Sequence, residues 1–288
     1  VSGHDQNDLL FVSLNEAVHF DGSRYTFLPV ASIGEAGNMS FKATWANGVG
    51  GYWLVGPKGY VMYWDGVSYG VSSLSKHLID TSDYSLSTDE IYTVHGSSPS
   101  NVWAAGSRGA TFCWDGSSWT RFNLPHVDAT VSGLYVVSSS EVYAIARANT
   151  YTYVYKWDGV MWTVVYSGGT GYYPQNIIYD GENYCASLQH GTYSQVICST
   201  DGNNWSVYIT GSVGMSIKKI WGRKTNLFAC GSNGLLLNYR AGQETWIHRE
   251  TSNSDDNNGN GGFVGVWKDP ASDYTVIIGA SSKIVVHR

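Results

Sequence analysis

Between residues 91 and 122, apolar and polar positions fall into four short runs: IYTVHG (91–96), NVWAAG (101–106), ATFCW (110–114) and SWTRF (118–122). Each run is rich in β-branched or aromatic residues, and each is short enough to be a strand. Turn formers separate them: Ser-Ser-Pro-Ser, then Gly-Ser-Arg-Gly, then Asp-Gly. No stretch of the chain sustains the 3.6-residue apolar period of a helix. The one place where a helix is conceivable is the insert SSLSKHLIDTSD at 72–83. An all-β protein is predicted.

The four-run unit repeats. Asp-Gly recurs at Asp21, Asp65, Asp115, Asp158 and Asp201, in steps of 44, 50, 43 and 43 residues, and a looser copy follows 40 residues after Gly202 at Gly242. An aromatic follows each turn: Tyr25, Tyr69, Trp119, Trp162, Trp205 and Trp246. Four-stranded units at this period predict a β-propeller, because a lone four-stranded sheet cannot bury both faces and stacked blades can. Seven blades are expected in a single domain over 1–288, at about 1–28, 41–72, 89–122, 131–165, 175–208, 216–248 and 263–288. In this reading the first blade enters partway through its first strand and the last stops after its third. A six-bladed propeller is the alternative.

The repeated phrase is expected to be structural. Gly permits the positive φ of a hairpin turn, Asp can bond the turn backbone, and the aromatic can wedge between blades. A ring of equivalent sugar pockets is the competing reading. STDGNNW (199–205) resembles a shortened Asp-box. The whole chain resembles propellers with Asp-box or WD40/YVTN/BNR-like repeats, a group that includes sialidase-like hydrolases, photosystem-assembly-factor-like proteins, lectins and adhesins. That resemblance implies that the Asp-Gly turns lie on the face away from any active centre. Fold does not carry function.

Composition narrows the classes. Only 14% of residues are charged and the net charge is −6, with 17 Lys plus Arg. No basic stripe marks a nucleic-acid partner. No apolar run approaches the roughly 20 residues of a membrane span, and no secretory leader stands at Val1. Richness in Ser, Thr, Asn and Gly goes with life outside the cytoplasm, so an extracellular, periplasmic or cell- or virion-surface location is expected, with this chain as part of a larger chain or assembly. Cys185 and Cys198 flank a hairpin and can pair across it or stay free, whereas Cys113 and Cys230 read as buried thiols. Asn38 and Asn204 begin Asn-x-Ser sequons.

Enzyme signatures are weak. The eight Arg include no sialidase-like Arg-Ile-Pro phrase, and Arg24 and Arg121 are expected on outer strands. Glycosidase chemistry needs two facing carboxylates, and the acids here sit in turns or in the insert (Asp80, Asp83, Asp89, Glu90) and at Asp128. A glycoside hydrolase or lyase with an axial site is therefore the alternative to a non-catalytic binding or scaffold module. The eight His show no metal-ligand spacing. No cofactor is expected beyond a possible Ca2+ at SNSDDNNGNGG (252–262), where Asp255, Asp256 and Asn258 offer oxygen ligands without EF-hand spacing.

The binding face is expected where strand two–three hairpins meet the connections from strand four to the next blade, since these segments vary most between units. Lys58, Arg108, Arg147 and His190 sit in such hairpins, and Tyr172 and Tyr173, read as exposed, in one connection. Tyr with Asn, Ser and Gly makes an adaptable recognition surface. The expected partner is a carbohydrate or a protein surface.

Overall fold

A computed structural model describes residues 1–13, 16–30, 40–57, 59–67, 74–78, 90–191, 193–211, 216–223, 226–232, 235–240, 246–248, 263–268, 275–279 and 284–287. Apart from isolated single turns such as Ser107–Gly109, regular structure in these residues is all strand. The first sheet is β1 (Ser2–Asp5), β2 (Asp8–Val12), β3 (Ala17–Phe20) and β4 (Tyr25–Phe27); the second is β5 (Ala43–Ala46), β6 (Tyr52–Val55), β7 (Tyr60–Trp64) and β8 (Leu74–Leu78). The third is β9 (Ile91–Ser98), β10 (Asn101–Gly106), β11 (Ala110–Trp114) and β12 (Trp119–Asn123), and the fourth is β13 (Thr130–Ser138), β14 (Glu141–Ala148), β15 (Tyr151–Trp157) and β16 (Trp162–Thr170). The fifth is β17 (Tyr173–Tyr179), β18 (Tyr184–His190), β19 (Tyr193–Ser199) and β20 (Ser206–Gly211); the sixth is β21 (Ile217–Arg223), β22 (Asn226–Gly231), β23 (Leu236–Arg240) and β24 (Trp246–His248). The last holds three strands, β25 (Phe263–Lys268), β26 (Thr275–Gly279) and β27 (Ile284–His287).

Among the described residues, then, six sheets are complete four-stranded blades, the number of the six-bladed alternative, and a three-stranded sheet follows them. The first blade has all four strands, the first of them the four-residue β1. One boundary differs from expectation. In the second blade, the fourth strand is not the run after Asp65-Gly66 but Leu74–Leu78, inside the insert where a helix was conceivable. Its residues pair across to Tyr60–Trp64, Trp64 opposite Leu74 and Tyr60 opposite Leu78. The ladder offered by β7 decides the conformation of a five-residue segment too short to hold a helix alone.

The chain divides into two compact units, residues 1–142 with 157–163 and residues 143–156 with 164–288. In the first unit, the second-strand aromatic of one blade is clasped by two tryptophans of the next. Trp53 of β6 meets Trp114 at 5.4 Å and Trp119 edge-on at 5.3 Å. Trp103 of β10 meets Trp157 at 5.3 Å and Trp162 edge-on at 5.5 Å. The second unit repeats the edge-on contact between Tyr143 of β14 and Trp205 at 6.4 Å. The wedging role expected of the post-turn aromatics therefore holds for Trp119, Trp162 and Trp205. Tyr25 departs from it: it is 56% exposed and packs on Phe11 and Phe20 of its own blade. Tyr69 lies outside the described residues, as does the side chain of Trp246.

The Asp-Gly turns are capped as expected. Asp115 Oδ1 accepts the backbone N–H groups of Ser117 and Ser118, both at 2.8 Å. Asp21, Asp158 and Asp201 accept the same two N–H groups of their own turns. Those bonds favour the carboxylate, with the bond from Ser118 the largest influence on Asp115, whose pKa falls to about 2. Gly202 shows why the second residue has no side chain: its φ is +70° and a Cβ there would overlap the Tyr143 hydroxyl. The device also appears where the repeat ruler did not place it, in the β17–β18 hairpin, where Asp180 accepts from Glu182 and Asn183 at 2.9 and 2.7 Å.

The first strands carry a second recurring irregularity. β17, β21 and β25 each hold one extra residue against their partner strand, at Gln175, Lys218 and Val264, and β9 holds two, at Tyr92 and Ser97. Just past one of them, buried Asn176 donates to the Ile220 carbonyl and accepts from the Ile220 N–H at 3.1 Å, joining the fifth and sixth blades.

Truncating a clasped aromatic is expected to be costly. Trp103→Ala should lower stability by about 3–5 kcal/mol, whereas exposed Tyr25→Ala should change it by under about 1 kcal/mol. Urea unfolding followed by tryptophan-independent far-UV dichroism checks this, and equal midpoints for the two variants would contradict it.

Candidate functional site

Four of the residues singled out in the sequence converge in the second unit. Arg147, near the end of β14, lays its guanidinium 4.0 Å from the centre of the Tyr173 ring. Tyr172 packs on His190, ring centres 4.7 Å apart. The backbone brings these residues together. The Gly171 N–H donates to the Thr150 carbonyl at 3.0 Å and the Thr152 hydroxyl to the Tyr172 carbonyl at 2.7 Å, so the β16–β17 connection is tied to the β14–β15 hairpin. Gly171 has φ +82°, and a Cβ there would stand 2.9 Å from the His190 ring, so a side chain would push His190 away. Tyr173 begins β17 opposite Gln189, which precedes His190 in β18.

Exposure differs from the sequence reading at one position. Tyr173 is 47% exposed as expected, but Tyr172 is half-buried, because the two anchors on its backbone hold its ring against His190. Sequence reasoning passed over two neighbours. Gln189 Oε1 accepts from the Ser216 hydroxyl and, at 3.4 Å, from Lys218 Nζ, bringing a second cation beside the cluster. Tyr166 stands near Tyr172, and burial together with that neighbour pushes its phenol up, so it stays protonated. Lys218 is the extra residue of β21, and a bulge is where simple alternation stops reporting which way a side chain faces.

The Arg147 side chain is half-buried, and its Nε is buried with no hydrogen-bond partner. No ion pair among the described residues includes Arg147, His190 or Lys218. The cluster therefore sets the Arg147 guanidinium and the His190 imidazole against tyrosines, with Lys218 reaching Gln189 beside it. It holds no carboxylate pair and no activated nucleophile.

Of the other predicted residues, Arg108 lies in the first unit. It is exposed at the β10–β11 hairpin with φ +57°, a left-handed conformation unusual for a long side chain. Lys58 and the metal candidates Asp255, Asp256 and Asn258 lie outside the described residues, as do Asp80, Asp83 and Asp89. Glu90 pairs with Lys42 at 3.4 Å. Arg121 lies on outer strand β12, but Arg24 sits in the turn before β4, bonded to Asp21 at 3.0 Å. Cys185 and Cys198, directly opposite in β18 and β19, form a disulfide, while Cys113 and Cys230 are free. Burial pushes the Cys230 thiol up to about 12, so it is unreactive.

The first unit holds the richest titratable cluster, and sequence reasoning missed it. Asp8 Oδ1 accepts from His19 at 2.7 Å and from the Tyr52 hydroxyl at 2.5 Å, and Asp8 Oδ2 meets His4 Nδ1 at 3.0 Å. The Gly50 N–H donates to His4 Nε2, which leaves the His4 proton on Nδ1, facing Asp8. Burial opposes charge on Asp8, but hydrogen bonds from His19, His4 and Tyr52 outweigh it and hold the carboxyl well below the ordinary carboxylate range. These partners come from β1, β3 and β6, so only the folded register unites them. With both oxygens engaged, Asp8 joins the first two blades.

No protein-family model matches the chain, and no curated protein sequence matches it. Solved structures do. YCF48 bound to D1 peptide aligns with a TM-score of 0.71 at 15% identity, over 99% of this chain and 90% of that one. YCF48 from Cyanidioschyzon merolae gives 0.69 at 12%, over 99% and 92%. The Myceliophteria thermophila Cps50 (Swd1) β-propeller domain gives 0.64 at 10%, over 98% of both. The chain is a β-propeller. The extracellular domain of the putative hybrid two-component system BT3049 from B. thetaiotaomicron also aligns, at 0.71 and 13% identity; the propeller covers 39% of that chain. At these identities the likeness carries the fold alone. No described helix is long and apolar enough to cross a membrane.

The Asp8 cluster predicts acid lability. A carboxyl lowered by folding contributes stability that is present above its unfolded value, about 3.9, and is lost as pH falls below it. Wild type should therefore lose more stability than Asp8→Asn between pH 5 and 3, although the variant starts lower at pH 7. Thermal unfolding across that range checks this, and parallel pH profiles would contradict it.

Proposed function

We propose that this propeller is a non-catalytic binding or scaffold module whose partner, a carbohydrate or a protein surface, docks where the strand two–three hairpins meet the strand four–one connections. The observation that carries this reading is the convergence of Arg147, Tyr172, Tyr173 and His190, from two hairpins and one connection, into one partly exposed cluster. Residues held by backbone anchors yet left open to solvent are what a preorganised recognition surface needs. That a propeller of similar fold is solved as YCF48 bound to D1 peptide is consistent with it. The Cys185–Cys198 disulfide supports an extracellular, periplasmic or surface location, where such bonds persist. Asp255, Asp256 and Asn258 are the proposed calcium ligands.

A glycan array, run with calcium and again with chelator, and a pull-down from the source organism test the reading together. Tyr173→Ala should reduce whichever signal appears by about tenfold or more, the scale of losing a partner-facing aromatic. Val160→Ser, on an Asp158-Gly159 turn and 80% exposed, should leave it unchanged. Equal loss in both variants would overturn the placement of the site, and loss under chelator would bring the 252–262 loop into it.

A further inference from the structure

Building on that reading of the site, we infer that its ligand is a peptide segment and that the group it takes is a carboxylate, bound by Arg147. Arg147 is held rigidly: its guanidinium lies over Tyr173, and Tyr173 is fixed at the start of β17. A planar fork of N–H donors stacked on a ring keeps its edges for an oxyanion, the geometry that suits bidentate carboxylate binding. No described acceptor satisfies it: Arg147 Nε is buried without a hydrogen bond, and no described acid pairs with the half-buried guanidinium, which leaves its outer N–H groups as the donors for an oxyanion. Lys218 adds positive charge nearby, also without an ion pair among the described residues. On a propeller whose net charge is −6, two cations that no described acid pairs with run against the chain's average sign.

The neutral groups of the cluster favour a peptide over a sugar. A sugar is read by amides and hydroxyls that bond its own hydroxyls, and by bare aromatic faces. Here the Gln175 amide donates to the Tyr173 carbonyl and the Gln189 amide to the Gly191 carbonyl. The Thr152 hydroxyl donates to the Tyr172 carbonyl. Tyr173 already has Arg147 on one face, and Tyr172 has His190 against its ring. What remains toward solvent is cationic, with Tyr193, 52% exposed and opposite His190 across β18 and β19, offering apolar contact to side chains beside the carboxylate.

Immobilised propeller can be presented with three hexapeptide libraries and read by mass spectrometry: one with free C-termini and no Asp or Glu, the same library with C-terminal amides, and an amidated library containing Asp and Glu. Retention of the first over the second by about tenfold or more, the usual worth of a charged hydrogen bond, supports a chain-terminal carboxylate. Retention of the third supports a side-chain carboxylate. In either case Arg147→Gln should abolish the preference, Arg147→Lys should keep part of it, and rising salt should weaken it. Unchanged far-UV dichroism and thermal midpoint in Arg147→Lys separate loss of binding from loss of fold. Equal retention of all three libraries, or an Arg147-dependent hit on glucuronate-bearing glycans instead, overturns the inference. If Tyr173→Ala abolishes partner binding while Arg147→Gln does not, the binding surface stands and the carboxylate assignment falls.

Discussion

A four-stranded sheet with two apolar faces must find something to cover both, and in this chain the cover is an aromatic clasp. A second-strand ring, Trp53 or Trp103, is gripped by a third-strand and a fourth-strand tryptophan of the following blade. Large flat side chains bury much area per residue and prefer edge-to-face geometry, so three rings fix both the spacing and the rotation of adjacent blades. The Asp-Gly turn belongs to the same device. It closes the hairpin tightly enough to return the fourth-strand aromatic to the interface, and the aspartate satisfies the turn's own N–H groups so that no partner from elsewhere is needed.

With stacking secured by the strands and the Asp-Gly ends, the opposite ends are released from structural duty. There the segments differ from blade to blade, and one such junction gathers Arg147, Tyr172, Tyr173 and His190. Its rigidity is borrowed from the ladder: Gly171 and Tyr172 are tied to the β14–β15 hairpin, and the rings rest on residues that begin or end strands. A cation placed this way is oriented before any ligand arrives, which lowers the ordering cost of binding.

The fold was legible in the sequence because its cause is local and repeated. Strand length, turn chemistry and the post-turn aromatic recur at a nearly constant step, and each is a short-range property. The failures follow the same logic. The outer strand of the second blade lies several residues beyond where the repeat places it, because β7 pairs with Leu74–Leu78 after a longer connection. Tyr25 matches the pattern yet stays exposed, since the pattern reports a position and not what packs against it. The candidate site was half legible: charged and aromatic residues in variable loops could be named, but not that Arg147 lies on Tyr173 or that Lys218 joins them through Gln189. The Asp8 cluster left no sequence signal at all, since His4, His19 and Tyr52 sit at unrelated spacings and meet only once strands pair.

The one-residue bulges of the first strands alter how those strands should be read by anyone substituting them. The pairing register shifts by one residue at Tyr92, Gln175, Lys218 and Val264, so an alternation counted from the strand's start changes phase there, and in β9 it changes again at Ser97. A hydrophobic-for-polar scan planned by counting every second residue from the strand's first would fall out of step within two or three residues. Tolerance to substitution along these strands should therefore show a phase slip at the bulge, and the first strands, which the alternation rule treats as the simplest part of each blade, hold two surfaces of opposite parity in a single run of residues.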